Sequence, residues 1–371
     1  MIRFVLVSLL ALAACSSSED QAPPAGNTAA PVPTVPVAAA PSNATEPADP
    51  ATADAHAKPA PGTLQTFKDW TVGCDNTRRC TMAALAPEGG DFPAVTMNLM
   101  RDAGPDGAIG IELDSRDEAA PGPTAIAIDG RRFDVTTPDG LSGDPARKIA
   151  TAMANGKALT VLAGKTKAGT LSLAGVSAAL RFIDEQQGRA DGETALVAKG
   201  SKPASDVPPA PAAPIVVAHP MTATTLDAIY VSSLRRLAGC ADDEMSMKQD
   251  VQAFAIGDGK TLALVPCSVG AYNVFASLFI VDGGKAAPAT TDAPGNLSNT
   301  PDSDTPQAVN AVLDGGLLKS YAKGRGLGDC GIYQTLAWDG ATIRLVEQSE
   351  MGECRGNPNY ITTWRTQVVR R

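Results

Sequence analysis

The sequence FKDWTVGCDNTRRCTMAAL occupies residues 67–85 and decides how the first part of the chain is expected to fold. Its two ends are apolar and typical of strands, and the polar segment DNTRR between them has the chemistry of a turn. Cys74 and Cys80 lie symmetrically about Thr77, so a disulfide between facing strands is geometrically natural. We therefore predict a hairpin closed by a cross-strand disulfide, with strands at residues 67–74 and 80–85.

The segment that follows mixes strands with two helices. Asp129-Gly130 is a two-residue hairpin signal. Asp144 is predicted to cap the first helix, with Pro145 at its first position and Asn155-Gly156 as a stop. Because strands and helices do not alternate regularly, we predict an α+β fold rather than a parallel one. The further strands are predicted at residues 94–100, 109–113, 124–128, 132–135, 159–162 and 170–173, and the second helix at residues 176–187.

The last part of the chain is predicted to be antiparallel sheet covered by one helix. Thr224 and Asp227 have the spacing of a capping box at the start of that helix. Its apolar stripe is expected to be core and consists of Leu226, Ile229, Tyr230, Leu234 and Leu237. Glycine-containing turns separate the predicted hairpin strands 251–256 and 262–267, 309–313 and 317–321, and 333–338 and 342–348. A last strand is predicted near residues 362–368, and residues 286–307 are predicted to be a long polar loop.

Residues 1–14 are typical of a bacterial export signal. A short basic start precedes an apolar run that is too short for a permanent membrane helix of about 20 residues. The sequence Leu12-Ala13-Ala14-Cys15 resembles the lipobox of bacterial lipoproteins. In that family the cysteine is acylated, for example with palmitate, and becomes the first mature residue. We therefore predict a lipid anchor on Cys15, and Ser16 in place of Asp favours the outer membrane.

The composition of the rest of the chain indicates a tether, a linker and two domains. Residues 15–62 are predicted to be the acylated cysteine and a disordered Ala/Pro-rich tether, because this segment has too little apolar surface to fold. Residues 200–216 have a similar composition and are predicted to be a linker. The chain is thus expected to carry two small disulfide-stapled α+β domains, at residues 63–199 and 217–371.

The cysteine count supports an oxidising compartment. Of seven cysteines, six remain when Cys15 is assigned to the lipid. Pairing within domains leaves three connectivities. Of these we predict Cys240 with Cys267, because Cys240 follows the predicted helix and Cys267 ends a nearby strand, and Cys330 with Cys354, which flank the hairpin predicted at residues 333–348. The midpoint of Cys330 and Cys354 lies about two residues past the intervening turn, so we expect a bulge or a widened hairpin end.

The charge and the histidine count exclude several functions. The net charge is -9 and no basic cluster is present, which makes nucleic acid an unsuitable partner. Only two histidines occur, His56 in the tether and His219 at a domain edge. Because histidine is the commonest acid–base residue and metal ligand, we predict no catalytic residues, no metal and no cofactor.

Two polar segments are candidate sites. Lys323, Gly324, Arg325, Gly326 and Asp329 form a glycine-rich loop whose cations and backbone N–H groups suit an anion. The alternative interpretation is a flexible entry to the next strand, anchored by Cys330. Asp184, Glu185 and Arg189 at a helix end are a second candidate, for which a solvated helix face is the alternative.

Four segments carry a family resemblance, at residues 67–76, 181–189, 266–273 and 323–331. Together they resemble the proteobacterial envelope family called domain of unknown function 1176, over residues 64–371. The first domain also resembles the invasion-associated locus B family through its Trp-Thr-Val-x-Cys strand and cysteine partner. The resemblance implies a fold and a compartment but no catalytic residue.

The leading functional hypothesis is a non-catalytic envelope lipoprotein that faces the periplasm and binds a protein or cell-wall partner. The first alternative is a hydrolase of envelope polymers that uses carboxylates such as Asp184, Glu185 or Asp329, two of which would have to meet in one cleft. The second alternative is an enzyme inhibitor that presents a disulfide-braced loop.

Overall fold

The structure is a computed structural model that describes residues 58–117, 121–137, 140–240, 244–295 and 305–371. The predicted leader, Cys15, His56 and most of the predicted tether lie outside the described residues. At the end of the predicted tether, Pro59 is buried and the Gly62 N–H donates to the carbonyl of Thr363 at 2.9 Å. The last tether residues are therefore bound to the folded body.

Within its described residues, the first half contains two antiparallel sheets and two helices. Helix α1 is Asp144–Asn155 and helix α2 is Val176–Gln186. The strands are β1 (Gln65–Phe67), β2 (Trp70–Cys74), β3 (Cys80–Ala84), β4 (Val95–Arg101), β5 (Ile109–Ser115), β6 (Ala125–Ile128), β7 (Arg131–Asp134), β8 (Leu141–Ser142), β9 (Ala158–Ala163) and β10 (Thr166–Ser172). They pair in the orders β1-β2-β3-β4-β5-β8 and β10-β9-β6-β7.

One core holds these layers together. The alternating inward residues of the larger sheet, such as Met82, Leu99 and Ile111, are buried against both helices and the smaller sheet. Trp70 is fully buried, and its Nε1 donates to the carbonyl of Ser172 at 2.8 Å, which links the two sheets.

Two local predictions for this half need correction. The strand predicted at residues 67–74 is two strands, because Lys68 has φ 55° and the chain turns before Trp70. The cap of α1 is Gly143, with φ 65°, rather than Asp144, which lies inside the first turn. An acidic side chain in the first turn still stabilises the helix dipole.

The helices of the second half are α3 (Ala228–Leu237) and α4 (Glu244–Met247), and a 3-10 turn at Ala204–Asp206 precedes its first strand. The strands are β11 (Ile215–Ala218), β12 (Thr222–Thr224), β13 (Gln252–Ala255), β14 (Thr261–Val269), β15 (Val274–Asp282), β16 (Lys285–Pro288), β17 (Gln307–Val309), β18 (Val312–Asp314), β19 (Leu317–Lys323), β20 (Gly331–Trp338), β21 (Ile343–Met351), β22 (Ile361–Arg365) and β23 (Gln367–Arg370).

Most of these strands form two antiparallel sheets, with orders β12-β13-β14-β15-β16 and β18-β19-β20-β21-β22, while β17 pairs with β15. Strands β11 and β23 form a separate parallel pair. Leu264 and Leu278 of the first sheet share a core with Leu336 and Trp364 of the second.

Strand prediction failed at several places in this half. The strand predicted near residues 362–368 is divided into β22, which pairs with β21, and β23, which pairs with β11. Strands β11 and β12 were not predicted. The central strand β15 was not predicted, and β16 lies partly in the segment predicted as a loop. The strand predicted at residues 309–313 is divided between β17 and β18, because Asn310 has φ 46° and the two pieces pair with different sheets.

The predictions for α3 are also wrong in part. Thr224 lies in β12, and α3 begins after Asp227 without a side-chain cap. Of the predicted stripe Leu234 is 2% exposed, but Ile229 is 81% exposed, and Tyr230 and Leu237 are exposed too. Leu234 packs with Ala263, Val265 and Phe279 of the sheet, and Leu226 is partly buried against the same cluster, so only part of the predicted stripe is core. Among the described residues no helix is long and apolar enough to cross a bilayer.

The described residues contain three disulfides, and their pairing is the one predicted from the sequence. Cys74 and Cys80 are direct cross-strand partners in β2 and β3. Cys240 joins the segment after α3 to Cys267 in β14, and Cys330 joins Cys354 across the β20–β21 hairpin. The expected bulge lies in that hairpin, where the pairs Thr335–Glu347 and Leu336–Leu345 leave one extra residue on β21.

The two halves are in contact, and all described residues fall within one compact unit. Leu85 of the first half packs with Met351 and Ile361 of the second. The Asn357 amide, fully buried, donates to the carbonyl of Ala84 at 2.9 Å and to Asn98 Oδ1 at 3.1 Å. The predicted boundary at residues 200–216 remains a prediction, since this segment includes a 3-10 turn and the start of β11.

Candidate functional site

An open groove of about 660 Å³ lies where the two halves meet. One wall is the outer face of β3, β4 and β5, and the other is a face of β19–β22. Residues 358–360 form the corner between the walls. The volume is within the range of about 300–1,000 Å³ that is usual for ligand sites.

The first wall follows from strand alternation. Met82, Leu99 and Ile111 point into the core, so their neighbours face outward. Cross-strand pairing places Thr81 beside Met100 and Asn98 beside Glu112 on the groove side. This wall therefore presents a hydroxyl, an amide and a carboxylate.

The second wall is a straight row of side chains across four strands. Tyr321 pairs with Tyr333, Tyr333 with Ser349, and Ser349 with Thr362. All four line the groove, and Glu347 lies beside them. The sheet register thus collects hydroxyl groups from β19, β20, β21 and β22 on one surface.

Three tyrosines form a cluster at the corner. The Tyr321 ring centroid is 6.0 Å from that of Tyr333 and 5.8 Å from that of Tyr360. The Tyr321 hydroxyl donates to the Gly328 carbonyl at 2.6 Å and lies 3.0 Å from the Tyr360 hydroxyl. Burial and the hydrogen bond with Tyr321 raise the pKa of Tyr360, so its hydroxyl stays protonated at neutral pH.

The charges in the groove are mixed. Arg79 pairs with Asp102 at 3.4 Å, and Arg365 forms an ion pair with the buried Asp75. Within the described parts of the chain, no ion-pair partner is recorded for the carboxylates of Glu112 and Glu347. Each guanidinium group therefore has one carboxylate partner but still carries its positive charge beside the groove, and the Arg79–Asp102 pair is partly exposed.

The predicted loop site, residues 323–331, borders this groove through Gly328 but has its own internal bonding. Arg325 Nε donates to Asp329 Oδ1 at 2.7 Å, and its guanidinium lies 5.1 Å from the centroid of the Phe92 ring. The Lys323 ammonium lies 5.5 Å from the centroid of the Tyr321 ring. Both cations thus have partners within the protein, and the loop as an anion epitope stays a prediction.

The loop glycines serve close packing. A Cβ added at Gly326 would lie 2.6 Å from the Tyr272 ring, and one at Gly324 would lie 2.8 Å from the Cys330 sulfur. The sequence predicts that these glycines expose backbone N–H groups, but the Gly324 N–H donates to the Cys330 carbonyl at 2.8 Å and the Gly328 N–H donates to the Arg325 carbonyl at 3.0 Å. The structure instead shows that they allow the loop to lie against its neighbours.

Asp329 makes stability depend on pH. The hydrogen bond from Arg325 holds the pKa of this carboxyl below its usual value, against the opposing effect of burial, and the Gly356 N–H adds a bond at 2.8 Å. Because the folded-state pKa is lowered, the stabilisation is present above the unfolded-state value of about 3.9 and is lost as pH falls through the folded-state value. We expect Asp329→Asn to lower Tm clearly at pH 7, and the gap from wild type to close in strong acid.

The control for this measurement is Asp134→Asn. That carboxylate pairs with Arg132 at the surface and its side chain is 72% exposed, so Tm should change little at any pH. Thermal unfolding followed by circular dichroism from neutral to strongly acidic pH checks both variants. A gap for Asp329→Asn that is independent of pH would contradict the prediction.

The second sequence candidate is a buried structural network, and both earlier interpretations need correction. Asp184 and Arg189 are almost fully buried, so they are not a solvated helix face. The Asp184 carboxylate accepts from Arg101 Nη1 at 3.0 Å and from the N–H groups of Leu196 and Val197 at 2.9 Å. Glu185 is exposed and pairs with Arg181 at 2.9 Å. None of the three lines the groove.

The remaining predictions concern His219 and a metal. The backbone N–H of His219 donates to the Trp338 carbonyl at 2.7 Å, at the strand edge. Within the described ranges, no group of three or more His, Cys, Asp or Glu side chains is placed to hold a metal ion. The prediction that no cofactor is bound remains a prediction.

Sequence reasoning missed the groove because its residues are spread over seven strands of two sheets. One compositional signal points to it. The chain has only five tyrosines, and three of them lie in this groove. Their convergence requires the strand register, which the composition does not provide.

The fold and the groove define a disulfide-braced protein of mainly antiparallel sheet, with few helices and a polar groove between two sheet faces. The sequence model of the family described as protein of unknown function, DUF1176, matches residues 64–369. The chain therefore belongs to the DUF1176 family, as the four sequence segments indicated.

Two known proteins are similar to this chain to different extents. The uncharacterized protein YpfG of Escherichia coli strain K12 is 33% identical over 337 residues, covering 82% of this chain and 93% of its own. The crystal structure of invasion associated protein B from Bartonella henselae is 19% identical, covering 34% of this chain and 99% of its own, with a TM-score of 0.27.

Proposed function

We propose that this protein is a lipid-anchored, non-catalytic envelope protein that binds a polar ligand in the groove between two domains. The domains are those at residues 63–199 and 217–371. The observation that carries the proposal is the groove itself, since polar side chains from both halves converge on one cavity of ligand size.

The compartment is supported by two independent features. Three disulfides are typical of proteins outside the reducing cytosol. The leader ends in the lipobox-like sequence at residues 12–15, which would attach acyl chains to Cys15. An outer-membrane anchor and a proline-rich tether would place the folded body in the periplasm, at a distance from the lipid headgroups.

The groove-filling variant Thr362→Trp tests the binding site. Thr362 is partly exposed at the end of the tyrosine row, so an indole there occupies the cavity. We expect envelope pull-downs with the full-length protein to lose the specific partner. Thr222→Trp is the matched control, because Thr222 is exposed on β12 and does not line the groove.

The measurement is recovery of partners from intact envelopes with the disulfides preserved. Native circular dichroism and intact mass must show that both variants fold and keep their disulfides. Equal recovery by Thr362→Trp and the control would contradict binding in the groove. Recovery of an enzyme whose activity falls on binding would favour the inhibitor alternative.

The hydrolase alternative now rests on different residues. Glu112 and Glu347 line the same groove from opposite walls, whereas Asp184, Glu185 and Asp329 do not line it. Two carboxylates across a cleft are the arrangement that glycosidic hydrolysis uses. Shortened ligand after incubation with wild type, but not with Glu347→Gln, would favour this function over simple binding.

A further inference from the structure

We propose that the groove ligand is a neutral glycan chain, a proposal that rests on the groove being the binding site. The observations that carry it are the strand pairing of both walls, the tyrosine surface and the distribution of charge. Each limits the class of molecule that the groove can bind.

Strand pairing argues against an extended peptide. A peptide that binds a sheet usually adds a strand to an exposed edge. Here β4 is paired on both sides by β3 and β5, and β20 is paired by β19 and β21. Most of the walls are therefore faces of internal strands. The free side of the edge strand β22 is bonded by the Gly62 N–H at the Thr363 carbonyl and by the Asn76 side chain at Arg365, so recognition must come from side chains.

The side chains present suit sugar rings. A sugar has hydroxyl groups that both donate and accept, and ring faces that carry C–H groups. Tyr321, Tyr333 and Tyr360 provide aromatic surface with polar hydroxyls. Glu112 and Glu347 provide acceptors, whereas the amide groups of Asn98 and the NH₂ group of Asn359 are already bonded within the protein.

The charge distribution argues for a neutral ligand. An anion would face the carboxylates of Glu112 and Glu347, while Arg79 and Arg365 are already paired with Asp102 and Asp75. A cation would face those same two guanidinium groups. The groove is thus a poor electrostatic match for an anionic ligand and for a cationic one, and the protein as a whole is acidic.

The test is isothermal titration of the folded protein with three neutral probes: tetramers of β-1,4-linked N-acetylglucosamine, β-1,4-linked glucose and α-1,4-linked glucose. We expect at least one to bind, with an affinity that changes little between about 0.05 and about 0.5 M salt, because screening acts on charged ligands. Polyphosphate and a lysine-rich peptide are the charged comparison probes and should not bind in the groove.

Tyr333→Ala should weaken binding of the neutral probe by about tenfold or more, because it removes an aromatic face from the centre of the row. Tyr230→Ala is the matched control, since Tyr230 is 40% exposed on α3 and does not line the groove. The control should bind as wild type does.

The proposal is overturned if none of the three tetramers binds, or if the bound tetramer is unaffected by Tyr333→Ala. Binding of polyphosphate or of the peptide in the groove, lost in Thr362→Trp, also overturns it. The envelope pull-down distinguishes failure of the glycan proposal from failure of the proposed function. If no glycan binds but Thr362→Trp loses its envelope partner, the groove binds another class of ligand. If Thr362→Trp keeps its envelope partner, the groove is not the binding site.

Discussion

We expect the Asp184→Ala variant to lose about 3–5 kcal/mol of unfolding free energy, the largest effect of any single substitution considered. The carboxylate is fully buried, and its partner Arg101 is fully buried as well. Removing one member of a buried ion pair leaves the other charge without compensation, which costs far more than an intact pair contributes.

The surroundings of Arg101 increase the cost. Burial, together with the nearby charge of Arg189, lowers the pKa of Arg101 to about 9. Without Asp184 the two guanidinium groups would repel each other in a region that water does not reach. The N–H groups of Leu196 and Val197 would also lose their acceptor, and unpaired buried donors are costly.

The adjacent residue is the matched control. Glu185 follows Asp184 on α2, but it pairs with Arg181 at the surface, so Glu185→Ala should leave stability unchanged within error. Chemical denaturation followed by circular dichroism gives both values. Asp184→Asn, which keeps the shape of the side chain, allows the measurement if Asp184→Ala does not fold. An Asp184 effect as small as that of Glu185 would show that the network does not stabilise the fold.

Replacing Cys15 with Ala is expected to release the protein from the membrane fraction almost completely. The acyl chains on this cysteine would be the anchor, since each buried CH₂ contributes about 0.8 kcal/mol and several chains act together. Because the apolar run of the leader is too short to remain as a membrane helix, no second anchor is expected from the leader. The Cys15→Ala substitution should therefore convert the protein from membrane-bound to free.

The measurement is membrane fractionation with immunodetection, together with intact mass of the mature wild-type protein. Ser17→Ala is the matched control and should remain in the membrane. By resemblance to lipoprotein sorting, Ser16→Asp should move the protein toward the inner membrane. Membrane retention of Cys15→Ala, with no acyl mass on the wild-type protein, would refute the anchor.

Local chemistry explains why some elements were predictable. Asp129-Gly130 forms the expected turn, with both residues at positive φ, and Cys74 and Cys80 face each other as their spacing indicated. Such features depend on residues close in sequence. The strand predicted at residues 309–313 failed for a different reason, because its two pieces pair with different sheets, which only the tertiary structure decides.

The burial of side chains also depends on contacts between segments that are distant in the sequence. The stripe on α3 has the periodicity of a core helix, yet Ile229 is 81% exposed, because no element among the described residues covers it. Asp184 and Arg189 are charged and look like a surface, yet they are buried because each has its full set of partners. Periodicity states which residues share a face, but the packing of other elements decides whether that face is covered.

By itself the sequence determined the family, the class of fold, the number of cysteines for pairing and the predicted anchor at Cys15. These follow from composition, short motifs and spacing along the chain. The groove was decided by the tertiary structure alone. Its walls depend on strand register, such as the row from Tyr321 to Thr362, and on the bonds of Asn357 that hold one half against the other. Register and packing arise from contacts between distant segments, so the residues that form the site become neighbours only in the folded chain.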